Sequence, residues 1–220
     1  VASHSYKDIK LILKATIFPL VFVTAMWLVY LLDVVYDLNF YKWGVYTRST
    51  NGLFGIVFSP FIHNSSSINH ILSNSVPMLV LGSALFYFYK EIALKVFITI
   101  WLVSGLWLWI LSRPSFHIGA SSIVYGLAFF LFFSGWIRKS KPLMGLSLLV
   151  VFLYGSMVWG LFPIDWSISF EGHAYGAFCG LVLSYIYRKQ GPQREVFVWE
   201  EETEHEEDDF EVNDPENENL

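Results

Sequence analysis

Six apolar runs constrain this chain more than anything else in it. Residues 11–32, 70–89, 92–111, 118–137, 143–164 and 172–187 contain only two charged side chains among them, Lys14 and Lys95. A bilayer core about 30 Å thick takes about 20 helical residues to cross. Within lipid only a helix or a closed barrel satisfies its own backbone, and runs this long read as helices. The expected fold class is therefore all-α: a polytopic membrane protein with a six-helix bundle. Composition agrees, since 15% of the 220 residues are charged against about 25% in soluble domains. The last run is short and glycine-rich and is expected to extend into its flanks. Pro19 is expected to kink the first run, which is too long and lacks the small-residue cleavage pattern of a signal peptide.

Charge divides the chain further. Residues 1–10 form a short basic segment, 11–189 the six-span domain, and 190–220 a tail that carries most of the 19 acidic side chains. With few apolar residues, that tail is expected to be disordered. If the N-terminus is cytoplasmic, then Lys7, Lys10, Lys14, Lys90, Lys95, Arg138, Lys139, Lys141, Arg188, Lys189 and Arg194 face the cytoplasm, and only Lys42, Arg48 and Arg113 lie outside. Eleven against three fits the positive-inside rule, and six crossings return the tail to the cytoplasm. Two outer connections stand out. The first, 33–69, contains an apolar stretch, Leu53 to Ile62, too short to span and expected to lie in the interface or re-enter it. The other is the Phe162 to Glu171 link, with Trp166, Ile168 and Phe170 alternating with polar residues. It reads as a flap or as an interfacial anchor. Asp165 and Glu171 are expected to face water.

Polar groups inside spans are costly and are functional candidates by default. Spans two, four and six run in the same direction, so their N-terminal ends lie at one depth. There the sequence places His70 and Asn74, Ser121, and His173. Singly, each has an ordinary role: a packing serine, an interfacial histidine, an asparagine bonded between helices. Together they match the needs of acyl transfer. A serine hydroxyl becomes nucleophilic when imidazole takes its proton, and an oxyanion needs donors aimed at it. Ser121 follows Gly119-Ala120 at a helix start, where unpaired N–H groups favour negative charge. His70 and Asn74, four apart, share a helix face. Gly176 and Gly180 form a small-residue face below His173 that lets two membrane helices approach closely.

Gly119-Ala120-Ser121-Ser122 with Tyr125, the His70 and Asn74 pair, and Gly172-His173-xx-Gly176-xxx-Gly180 resemble the motifs of the bacterial rhomboid proteases, in the same order along the chain. Gly82 and, more loosely, Arg48 extend the likeness, which covers about residues 10–189. The resemblance implies an intramembrane serine endopeptidase with a Ser–His dyad. Ser121 would be the nucleophile and His173 the general base and acid. His70, Asn74 and the Ser121 backbone N–H would form the oxyanion hole, with Tyr125 packed on the His173 ring. It also implies transmembrane protein substrates, the lipid bilayer as surroundings, a bacterial inner membrane location and a site opening to the outer face. One departure is Ser122, where the family usually has glycine. Serine is small enough to keep a close backbone approach.

No cofactor or nucleic-acid partner is expected, and no metal, since Cys179 is the only cysteine and no carboxylate or thiol completes a site with His70 and His173. The alternative reading is a non-catalytic rhomboid-like protein that binds membrane clients. Such proteins typically lack the serine or the histidine, and this chain keeps both. A transporter would place polar groups near the midplane of broken helices, not in one layer near a face.

Overall fold

The computed structural model describes residues 2–153, 159–164 and 168–191. Asp165 and Trp166 of the Phe162 to Glu171 link, and the acidic tail from residue 192, lie outside the described residues. The fold is helical. In chain order the helices are α1 (Ala2–Tyr36), α2 (Thr50–Phe58), α3 (Ile68–Phe88), α4 (Ala93–Leu111), α5 (Ser121–Ile137), α6 (Lys141–Leu153) and α7 (Phe170–Ile186). Two short strands, β1 (Val45–Tyr46) and β2 (Phe116–His117), pair antiparallel with Val45 opposite His117. Three described helical stretches, Ile9–Tyr36, Ile68–Phe88 and Ala93–Leu111, are long and apolar enough to cross a membrane, and Ser121–Ile137 is a shorter apolar helix.

Helix α5 is the centre of the bundle, packed by α3, α4, α6 and α7. Its residues Ile123, Leu127, Phe130 and Leu131 are wholly buried. The outer helices show the opposite pattern. On α1, Leu13, Val21 and Val35 are each more than 60% exposed, the signature of a surface whose solvent is lipid rather than water. α1 rests on α3, and Gly82 explains how. A β-carbon there would meet Pro19 Cγ at 2.9 Å, so the bare glycine admits the proline ring of α1.

The apolar stretch in the connection between α1 and α3 forms α2 and a 3₁₀ turn at Ser59–Phe61, too short to cross a membrane. Ser49 caps α2 by accepting from the Gly52 N–H at 2.9 Å. The helix lies on α4, where Trp101 Nε1 donates to the Ile56 carbonyl at 2.8 Å. Arg48, held at φ 55°, ties the connection to the end of α4. Its backbone N–H donates to Trp109 O at 2.9 Å and its Nε to Ile110 O at 3.0 Å.

Several boundaries differ from the sequence expectation. The first helix reaches well beyond 11–32 at both ends. The fourth begins at Ser121 rather than Ile118, because Phe116 and His117 pair with β1 and Gly119 turns the chain at φ 101°. The fifth run does not stay helical to Ile164: Gly160 to Ile164 lie in turns and a bend, where Pro163 has no N–H to offer a helix. The sixth helix starts two residues earlier than expected, at Phe170.

Candidate active site

The nucleophile candidate is the first residue of α5. The turn before it is built on Gly119, whose N–H donates to Ser59 O at 2.9 Å. Its positive φ suits glycine and lets α5 start abruptly, with the Ser121 side chain at the helix mouth. His173 lies in the first turn of α7. Its Nε2 is 2.8 Å from Ser121 Oγ, and its Nδ1 is 2.8 Å from Gly160 O. A carbonyl only accepts, so the Nδ1 carries the proton and Nε2 is left to accept from the serine hydroxyl. The Tyr125 ring stacks on the imidazole with centroids 4.2 Å apart and planes within 9°. Both nitrogens and one ring face of His173 are thereby fixed.

The two glycines of α7 make this contact possible. A β-carbon at Gly176 would lie 1.9 Å from Ser122 O, and one at Gly180 2.0 Å from Gly126 O. The close approach thus runs through the Ser122 backbone, with glycine supplied by the α7 side. Serine after the nucleophile is accommodated for that reason.

On the other side of Ser121 stand His70 and Asn74, on one face of α3. A β-carbon at Gly119 would lie 2.7 Å from His70 Nε2 and 3.9 Å from Asn74 Nδ2, so the missing side chain leaves a small space flanked by both nitrogens. The His70 Nδ1 accepts from the Asn64 backbone N–H at 3.3 Å, which puts the proton on Nε2 facing that space. Asn74 Nδ2 donates to His70 O at 2.7 Å and keeps a second hydrogen. Two donors thus border the space at Gly119, in the cavity they share with Ser121, and groups of that kind can stabilise an anionic oxygen. A cavity of about 530 Å³ joins the whole set, lined by His70, Asn74, Ser121, Tyr125, Gly160 and His173 among others.

His70, Asn74, Ser121, Tyr125 and His173 are therefore neighbours around one cavity, while Glu171 does not face water as expected. Its side chain is 11% exposed and pairs with Arg113 Nε at 3.5 Å, because the α4–α5 connection folds over the start of α7. Sequence reasoning also missed three supports. Gly160 and Asn64 act through backbone atoms, which leave no trace in residue type. His63 is 1% exposed and sets its ring against His70 with centroids 5.0 Å apart. Burial, with the nearby His70 second, pushes its pKa down from 6.5 to about 3, so it stays neutral. Its signal was an extra histidine seven residues before His70, in a loop.

Residues 50–190 match the family model for the Rhomboid domain. The chain belongs to the rhomboid family. This rhomboid is also 31% identical to an uncharacterized protein of Mycobacterium tuberculosis and to one of Mycobacterium bovis, over 80% of this chain and 76% of theirs. A third uncharacterized relative, from Mycobacterium leprae, is 29% identical over 80% of this chain and 72% of its own. The match spans α2 to the end of α7, and so contains every residue of the cavity wall.

Proposed function

We propose that this rhomboid is an intramembrane serine endopeptidase, cutting peptide bonds in or near transmembrane segments of membrane proteins. The observation that carries the reading is the 2.8 Å contact between Ser121 Oγ and His173 Nε2, with Nδ1 bonded to Gly160 O. An imidazole held in that tautomer is ready to take one proton, and only from the serine. As Ser121 Oγ attacks the scissile carbonyl carbon, its proton passes to Nε2. The carbonyl oxygen becomes an oxyanion beside His70 Nε2–H and Asn74 Nδ2–H. Collapse of the tetrahedral species breaks the C–N bond, and His173 returns its proton to the leaving amine. Water, deprotonated by the same Nε2, then releases the acyl group and restores Ser121.

In this reading the chain crosses a bacterial inner membrane six times with both termini cytoplasmic, as its basic residues favour. The site lies at the outer ends of α3, α5 and α7, and lipid and transmembrane substrates are the partners. The test is cleavage of a generic transmembrane substrate by purified protein in detergent or liposomes, with covalent labelling by a fluorophosphonate in parallel. Wild type should cleave and label, and Ser121→Ala should do neither while remaining folded. Turnover retained in Ser121→Ala would dispose of the proposal.

A further inference from the structure

The connection between α4 and α5 lines the cavity together with the residues just before His173. Arg113 donates from Nη2 to Ile168 O at 2.8 Å, pairs through Nε with Glu171 Oε1 at 3.5 Å, and lies over the Phe170 ring at 5.3 Å. His117 sits behind it, 3% exposed. Its Nε2 faces Arg113 O at 3.2 Å, and a carbonyl only accepts, so Nε2 carries the proton and Nδ1 accepts from the Ser169 hydroxyl at 2.6 Å. The Arg113 carbonyl is held again by Thr47 Oγ1 at 2.8 Å. Two residues shortly before the nucleophile thus grip Ile168, Ser169, Phe170 and Glu171, shortly before the base.

Two features set this apart from ordinary loop packing. Ser169 occupies the N-cap position of α7 yet makes no side-chain cap bond, although serine there normally accepts from the first-turn N–H groups. Its hydroxyl is committed to His117 instead, so local helix stability has been given up for a contact between loops. The other is the ion pair, the only one between described residues within 4 Å. Sheltered pairs gain little over apolar packing, and their directional geometry is what apolar packing lacks. The need for geometry is plain. His173 lies in the first turn of α7, beyond the glycine crossing at Gly176, where a helix has the fewest internal hydrogen bonds to hold it.

We propose that Arg113 and Glu171, backed by His117 and Ser169, are positioning residues: a clasp that holds the His173 end of α7 in register with Ser121. The clasp rests on the protease reading and deepens it. It joins α5 and α7 at their outer ends as the glycines join them within the bundle, and between the two the dyad distance is set.

The experiment compares wild type with Glu171→Gln, Arg113→Gln, their double variant and Ser169→Ala, all as full-length purified protein. Each is scored for kcat and KM on a transmembrane substrate, for the rate of Ser121 labelling by a small water-soluble fluorophosphonate, and for thermal midpoint. Displacing a catalytic group by an ångström costs up to about a hundredfold. The single variants are therefore expected to lose about tenfold or more in kcat and in labelling together, with KM and midpoint little changed. The double variant should be no worse than Arg113→Gln alone, since that variant already removes the ion pair along with the Ile168 and Phe170 contacts. Should Glu171→Gln fail to fold, Ser169→Ala, which leaves the ion pair intact, must show the same joint loss. Unchanged labelling with faster substrate cleavage would make the segment an entry gate and overturn the clasp. Loss in proportion to unfolded protein would make it a structural staple and overturn it equally. If wild type itself neither labels nor cleaves, the protease reading falls and takes the clasp with it. An active wild type with fully active variants removes the clasp alone.

Discussion

A single methyl group on Gly176 tests the whole arrangement. A β-carbon there would sit 1.9 Å from the Ser122 carbonyl oxygen, a backbone atom in the first turn of α5 that cannot rotate away. Restoring a contact of about 3.5 Å requires α5 and α7 to separate by roughly 1.5 Å at that level. Ser121 and His173 lie one turn above and are 2.8 Å apart. If the helices move as rigid bodies, that distance opens to about 4 Å, outside hydrogen-bond range. Two losses follow. Overpacking a filled interface costs about 1–3 kcal/mol, seen as a lower thermal midpoint. Separation of base and nucleophile costs about a hundredfold or more in rate, seen as slower fluorophosphonate labelling per folded molecule. Gly145→Ala is the control. A β-carbon at Gly145 meets nothing within 4 Å, and replacing glycine within a helix gains about 0.5–1 kcal/mol. Purified Gly176→Ala that labels Ser121 at the wild-type rate would refute the claim that this crossing sets the dyad distance.

Two further outcomes are expected. Asn74→Ala should lower kcat on a transmembrane substrate about a hundredfold, the usual cost of one oxyanion donor, with KM unchanged because the contact strengthens only in the transition state. A raised KM at constant kcat would reassign Asn74 to binding. His63, neutral when folded with its pKa near 3 rather than 6.5, should make the protein acid-sensitive. The unfolded chain binds a proton as pH falls below 6.5 and the folded chain does not. Its stabilisation is thus complete above pH 6.5 and is lost on the way down toward pH 3, by about 2–3 kcal/mol between pH 6.5 and 4.5. His63→Phe keeps a ring against His70 without the titration, so it should flatten thermal midpoint against pH and keep most activity. An unchanged slope would show that other groups govern the acid response.

Much of the site is legible in the sequence. The serine, the two histidines and the asparagine could be placed in one layer by counting along apolar runs, since helices crossing a slab of fixed thickness start at fixed depths. The glycine spacing below His173 marked the helix pair, because a backbone contact excludes every larger residue. Helix boundaries were read less well where competing backbone interactions end a helix that hydrophobicity alone would continue. Ile118 to Ala120 are apolar or small, yet β-pairing and the Gly119 turn take them out of α5. Glu171 departs from the sequence expectation for a related reason. A carboxylate near a span end is expected in water unless a cation is brought to it, and Arg113 arrives from a different connection.

The sequence by itself determined the apolar surroundings, the helical class and the four candidate side chains of the site, since each follows from residue type and from spacing along one chain. Tertiary structure alone decided which atoms face which. The tautomer of His173 depends on the Gly160 carbonyl, that of His70 on the Asn64 N–H, and the seating of α7 on Arg113 and His117. Three of those contacts are made by backbone groups, and all but that of Asn64 with His70 join segments more than ten residues apart. Residue identity cannot encode them, and only the folded chain brings them together.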